Sequence, residues 1–234
     1  VEAFPAWRDR PVRERAALLR SLADLIDANT ERLARLESQD QGKTLAQANE
    51  IEIPRAAANF RYFAGAIEAF AGEMHQMDGQ AINYTLRRAR GVAGCISPWN
   101  LPLYLLTWKI APALATGNTV VAKPSEVTPV TAGVLGELAI EAGFPPGVLN
   151  LVHGHGGTVG QRIVEHPDVP TITFTGSTAT GQAISRIAGP MFKRISLELG
   201  GKNPVIICED ADLDASMDDI VRSAFANQGE ICLC

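Results

Sequence analysis

Leu18, Leu19, Leu22, Leu25 and Ile26 fall on one face of a 3.6-residue repeat, and Arg13, Glu14, Arg20 and Asp24 take the other side. That spacing predicts an amphipathic helix. A second helix carries Leu33 and Leu36 and ends near Gly42. A third is expected from about Thr44 to Gly72. Phe60, Tyr62, Phe63 and Phe70 give it an apolar face, and Pro54 should kink or restart it. The rhythm changes after residue 81. Short apolar runs at 91–97, 118–123, 147–152, 171–175, 194–199 and 203–208 read as strands. Helical patterns lie between them at 101–116, 129–142, 157–166 and 177–188, and another follows at 212–226. Strands alternating with helices predict βαβ units and a mostly parallel α/β sheet. Near-continuous apolar strands suit a sheet covered by helices on both faces. The segment 75–90 is more polar and alternating, which predicts a hairpin or linker.

Composition narrows the class. The chain has 234 residues, 46% hydrophobic and 20% charged, which is ordinary for a soluble globular protein. A net charge of −5 gives no electrostatic reason to expect nucleic acid. No run approaches the roughly 18 apolar residues of a membrane helix, and the N-terminus has no basic-then-apolar leader pattern. Cys95, Cys208, Cys232 and Cys234 form no CxxC pair, and no histidine lies near the last two, so no metal site is expected. Disulfides are not expected either, and the cytoplasm is the default location. The chain does not begin with Met and stops two residues after Cys232, so a fragment is expected.

Candidate chemistry sits in turns, because ligands of such sheets bind beyond the carboxyl ends of the strands. In TITFTGSTATGQ, a strand runs into Gly176, Ser177, Thr178 and Gly181 and then a helix. That is a phosphate cradle or an ordinary capped glycine turn. LNLVHGHGGTVG places Gly156 and Gly160 after a strand without the G-x-G-x-x-G spacing. In VVAKPSE, Lys123 and Glu126 form either a ribose-holding site or a surface ion pair. In CISPWNLP, Pro98 and Pro102 stiffen a turn carrying Trp99 and Asn100, an oxyanion donor or a helix cap. In ISLELGGKNP, Glu198 closes an apolar strand, where burial would raise its pKa toward that of a general base. Finally, ANQGEICLC sets a polar turn ahead of Cys232, either a buried structural thiol or a nucleophile at a cleft.

Taken in order, SPWN, AKPSE, FTGST–x–x–G, LELGGKNP and N-x-G-x-x-C resemble the NAD(P)-dependent aldehyde dehydrogenase superfamily, from about residue 3 to the end. The resemblance implies a Rossmann-like NAD-binding domain at 91–226, preceded by a helical segment at 1–74 that packs on it and a hairpin or linker at 75–90. Residues 227–234 would begin a catalytic domain that is largely absent. It implies Cys232 as nucleophile, Glu198 as general base, Asn100 as oxyanion donor and Lys109 as a proton-relay lysine. Lys123, Ser125 and Glu126 match adenosine-ribose contacts. Gly156, Gly176, Ser177 and Gly181 match the phosphate and adenine region, and Leu199 a contact near the nicotinamide. Trp99, Gly160 and Thr178 join them as cofactor candidates. The pattern departs at Ala89, where many members have proline, and at Ile231 before the nucleophile. Neither touches the reaction chemistry.

Within the superfamily, SPWNLPLYLLTWKIAPAL and ANQGEICLC are most similar to 2-hydroxymuconic and 2-aminomuconic semialdehyde dehydrogenases. A carboxylate-bearing aldehyde needs a cationic anchor, and Arg55 is the candidate, with Arg61 second. Glu126 would favour NAD over NADP. The partners implied are a small aldehyde and a second copy or more of the chain, as homodimer or homotetramer. Betaine-type or general aliphatic aldehydes and a non-catalytic fragment remain open alternatives. A cysteine hydrolase is disfavoured, since no histidine is placed as a base for the thiol.

Overall fold

The computed structural model describes residues 1–234. The chain opens with four helices, α1 (Phe4–Asp9), α2 (Val12–Ala28), α3 (Thr30–Gln41) and the single turn α4 (Leu45–Gln47). A π turn at Ala48–Glu52 leads into α5 (Ile53–Glu68). The apolar stripe of α2 is buried, as Ala16, Leu19, Leu22, Ala23 and Ile26 have no exposed surface. Gly42 ends α3 at φ 93°, a left-handed cap that glycine adopts without strain, and its N–H returns to the Ser38 carbonyl. Pro54 lies in the first turn of α5, where its missing N–H costs nothing. The expected third helix is therefore two helices joined by a π turn, and it stops at Glu68, short of Gly72.

Next comes an antiparallel hairpin, β1 (Met74–Met77) with β2 (Ala81–Tyr84). Five parallel strands then form one sheet: β3 (Val92–Ile96), β4 (Thr119–Lys123), β5 (Leu149–Leu151), β6 (Thr171–Thr175) and β7 (Arg194–Glu198). Their order is β5-β4-β3-β6-β7. The crossovers are α6 (Pro102–Ala115), α7 (Val130–Glu141), α8 (Gln161–Glu165) and α9 (Thr178–Ala188). A π turn at Gly156–Gly160 precedes α8, and α10 (Leu213–Phe225) follows the sheet.

Period-two alternation divides the sheet between two cores. Ala93 and Cys95 of β3 and Val120 and Ala122 of β4 join a cluster with α2, α5, α6 and α7. Val92 and Ile96 of β3 and Ile172 and Phe174 of β6 join a second cluster with α8 and α9. Gly94 on that second face has no room for a side chain, since an added Cβ would lie 2.6 Å from Ile163 and 2.9 Å from Ile172. Trp7 and Arg15 tie the first helices to the end of α6, donating to the carbonyls of Leu114 (3.2 Å) and Ala115 (3.1 Å). No helix is long and apolar enough to cross a membrane.

The run at 203–208 is not a strand. The chain leaves the sheet at Gly200 and Gly201, and the run lies beside no other strand. β propensity reflects fit to a paired, half-buried surface, so without a neighbour the run stays irregular. Ile206 is accordingly 82% exposed.

Candidate active site

The chain lays down β3, β4 and β5 in one direction and then returns to place β6 and β7 on the other side of β3. The strand order thus reverses between β3 and β6, and a crevice opens beyond their carboxyl ends. A cleft of about 950 Å³ occupies this position. Trp99, Asn100, Lys123, Ser125, Glu126, Gly156 and Gly160 line it, as do Gly176, Ser177, Leu199 and Cys232.

At one end, Lys123 is nearly fully buried and donates to Glu126 Oε2 at 2.8 Å and to the Pro124 carbonyl at 2.9 Å. The Gly156 N–H donates to Glu126 Oε1 at 3.1 Å. The Lys123 hydrogen bond, helped by backbone N–H donors, holds the Glu126 carboxyl down at about 2. Glu126 thus presents a fixed anion to the cleft. Ser125 is buried and accepts from the Val127 N–H at 3.2 Å. Gly160 packs over the Lys123 stem, 3.6 Å from where its Cβ would be.

Ser177 caps α9, accepting from the Thr180 N–H at 3.2 Å. It also lines the cleft, so the capping and ligand-facing readings of this turn coexist. Thr178 starts α9 but does not reach the cleft. Gly181 is buried under Leu199, 2.7 Å from the position of an added Cβ, and so acts through packing. Gly176 abuts the Phe174 ring in the same way, at 2.5 Å.

Cys232 is exposed at the cleft. It follows three consecutive left-handed residues, Asn227 (φ 49°), Gln228 (φ 61°) and Gly229 (φ 76°). Such backbone is costly for the two non-glycine residues and must be held from outside. Asn100 does part of that. Its Nδ2 donates to the Glu230 carbonyl at 2.6 Å, and its own carbonyl accepts from Asn227 Nδ2 at 3.0 Å. From β7 the chain runs past Gly201 to Asn203, whose side-chain amide donates to the Cys232 carbonyl. Glu198 is exposed at the end of β7, an edge strand covered on one side only. The expected burial of this carboxylate is therefore not found.

Lys109 lies outside the cleft, buried beneath β6, where it donates to Thr175 Oγ1 at 2.6 Å and Thr173 Oγ1 at 3.4 Å. Burial pushes it down to about 8, against the opposing pull of Cys95 and the Glu198 carboxylate. Between about pH 8 and 10.5 the unfolded chain holds a proton that folded Lys109 has lost, so folding stability rises with pH in that window. Below it, the buried charge is a standing cost. Urea midpoints of wild type and Lys109→Met should diverge in favour of wild type from pH 8 upward. A pH-independent difference would contradict this.

Arg55 is not at the cleft. It is exposed on α5 with its guanidinium 5.2 Å from the centre of the Tyr104 ring. Tyr104, Trp108, Phe63 and Tyr62 form a chain of aromatic contacts on that side of α6. Arg61 is engaged by Asp24 (2.6 Å) and Asp27 (2.5 Å).

Residues 1–234 match the Aldehyde dehydrogenase family throughout. The chain belongs to the aldehyde dehydrogenase family. It is 57% identical over 234 residues to the 2-aminomuconic semialdehyde dehydrogenase of Danio rerio, covering 100% of this chain and 48% of that one. It is 51% identical over 232 residues to the 2-hydroxymuconic semialdehyde dehydrogenase of Pseudomonas sp. CF600, covering 97% and 48%. Its fold superposes on the crystal structure of PnpE in complex with nicotinamide adenine dinucleotide at a TM-score of 0.96, with 46% identity, covering 99% of this chain and 47% of PnpE. The chain spans about half the length of the curated relatives it matches.

In this aldehyde dehydrogenase family chain, the site also rests on residues outside the motifs. Lys43 Nζ is buried between Glu37 (3.8 Å) and Glu52 (3.6 Å) and donates to the Asn100 carbonyl at 3.4 Å. Burial pushes Glu37 up to about 7. Glu37 accepts from the Leu103 N–H at 3.4 Å, capping α6, which has no side-chain cap of its own. A signal for Glu37 was present, since it lies four residues after Leu33 on the apolar stripe of α3. Gln41 and Gln47 carried no such signal. Their partners, Glu230 and Asn227, lie more than a hundred residues away.

Proposed function

We propose that this chain carries the cofactor site and nucleophile of an enzyme that oxidises an aldehyde to the acid with NAD. The preferred substrate is a carboxylate-bearing semialdehyde of the muconic type. The observation that carries this reading is the single cleft that joins an exposed thiol, Cys232, with the Asn100 amide and the anchored Glu126. The names of the relatives support the substrate class.

The residues present fit a dinucleotide. Glu126, with Lys123 behind it, would hold the adenosine ribose. The Ser177 turn and the first N–H groups of α9 would face the pyrophosphate. A carboxylate kept ionised at this point repels a 2′-phosphate, which favours NAD over NADP. When bound, the cofactor supplies the oxidant that takes up the aldehyde hydrogen with its electron pair.

The protein's part begins with attack of Cys232 Sγ on the aldehyde carbon. The Asn100 amide and the Cys232 N–H hold the resulting oxyanion. Oxidation leaves a thioester on Cys232, and Glu198 takes a proton from the water that hydrolyses it. Asn100→Ala removes one oxyanion donor together with the bond to the Glu230 carbonyl, and kcat should fall by at least about 10²–10³. A fall of less than tenfold would remove Asn100 from that role.

We also propose Arg55 as the anchor for the substrate's distal carboxylate, at the rim of the Tyr104–Trp108 aromatic surface. The test is a panel of aldehydes with and without a distal carboxylate, given with NAD or NADP to the natural full-length protein. NADH formation should be fastest with the carboxylated substrates. Arg55→Ala should raise KM for these at least about tenfold, the cost of a lost charge-assisted pair, and leave neutral aldehydes within twofold. Equal effects on both would sink the anchor, and no turnover of any aldehyde would sink the function.

A further inference from the structure

We infer that the connection between α3 and α4, residues 41–47, is a brace that positions the nucleophile turn against Asn100. Lys43 and Gln47 are its positioning residues. The inference rests on the proposed role of Cys232.

The turn at 227–230 needs outside support. Two non-glycine residues with positive φ lie in succession there, a conformation that persists only when the surroundings hold it. Most of the polar contacts that hold them lead to one short segment. Gln47 Nε2 donates to Asn227 Oδ1 at 3.0 Å. Gln41 Nε2 donates to Glu230 Oε2 at 3.1 Å. Gln228 Nε2 donates to the Gly42 carbonyl at 3.2 Å. Asn227 is buried, and both ends of its amide are engaged, with Oδ1 accepting from Gln47 and Nδ2 donating to the Asn100 carbonyl.

Lys43 anchors the segment from beneath. Its side chain has no exposed surface, and it reaches the same Asn100 carbonyl. That carbonyl therefore receives Lys43 from one element and Asn227 from another. The Asn100 side chain in turn holds the Glu230 carbonyl, two residues before Cys232. Glu37 completes the base by fixing Leu103 and Thr131, the latter at 2.7 Å. Amide placement and thiol placement are thus set by a common support. A displacement on the order of 1 Å at a reacting group costs about a hundredfold in rate, so the support should be visible in kcat.

Lys43 is the less useful probe. Its removal leaves Glu37 and Glu52 buried without a cation and threatens folding. Gln47 is only half-buried and serves better. In the natural full-length protein, Gln47→Ala and the isosteric Gln47→Glu should each lower kcat about 10–100-fold, with KM for NAD within twofold of wild type. Glu at position 47 fills the same space but sets a carboxylate against Asn227 Oδ1 and beside the Glu52 carboxylate, a repulsion that Gln47→Ala does not introduce. Hydrogen exchange of the peptide covering 226–231 should accelerate at least tenfold in both variants and stay unchanged in the sheet.

Loss in Gln47→Ala with normal behaviour in Gln47→Glu would mean packing and overturn the brace. So would a kcat loss without faster exchange, faster exchange without a kcat loss, or a matching loss of cofactor affinity. If the wild-type protein oxidises no aldehyde, the proposed function fails. The exchange measurement then still decides whether residues 41–47 hold the turn.

Discussion

Cys232→Ala should abolish aldehyde oxidation, lowering kcat on the order of 10⁴–10⁶, while cofactor binding followed by fluorescence titration is retained. The size of the effect follows from the absence of a substitute. Cys232 is the one cysteine lining the cleft. Cys95 is buried in the sheet, where desolvation pushes its thiol up to about 12, so it stays protonated and inert. Cys208 is exposed but lies on the irregular segment after β7, outside the cleft. Cys234 points its sulfur at the Ala226 carbonyl, 3.5 Å away. Retained cofactor affinity is expected because Glu126, Lys123 and the Ser177 turn belong to other elements. Activity above about one percent of wild type would show that another group attacks the aldehyde.

Much of this arrangement was legible in the chain. The central strands β3, β4 and β6 are short apolar runs buried on both faces or along one, and a buried parallel strand advertises itself in that way, whereas β5 is half-buried and β7 largely exposed. Gly42 and Pro54 marked a helix end and a helix start through their backbone chemistry alone. The motif turns reached a common cleft because all five strands are parallel, so their carboxyl ends lie on one edge of the sheet. Two expectations are not met within residues 1–234. The run at 203–208 carries strand residues but has no strand beside it in this span, and pairing is a property of neighbours. Glu198 ends β7, the edge strand of this span, and is exposed there. The Gln47–Asn227 and Gln41–Glu230 bonds were invisible, since contacts between loops so far apart in sequence leave no periodic trace.

The second large effect is expected at Glu198. Glu198 ends β7 next to Leu199, which lines the cleft, and the segment after it runs against the Cys232 backbone. Glu198→Gln keeps the shape and the hydrogen-bonding reach but removes the proton acceptor. General-base catalysis contributes about 10²–10⁴, so hydrolysis of the thioester should become the limiting step while its formation proceeds. Steady-state turnover should then fall by that factor.

The most direct measurement combines both residues. Natural full-length Glu198→Gln protein is mixed with a carboxylate-bearing semialdehyde and NAD. NADH is followed in the first turnover, and the quenched protein is mapped by peptide mass spectrometry. The expected result is one equivalent of NADH per site followed by a stall, with the acyl group on the peptide containing Cys232. Sustained turnover at the wild-type rate, or NADH release with no acyl group on Cys232, would contradict the account.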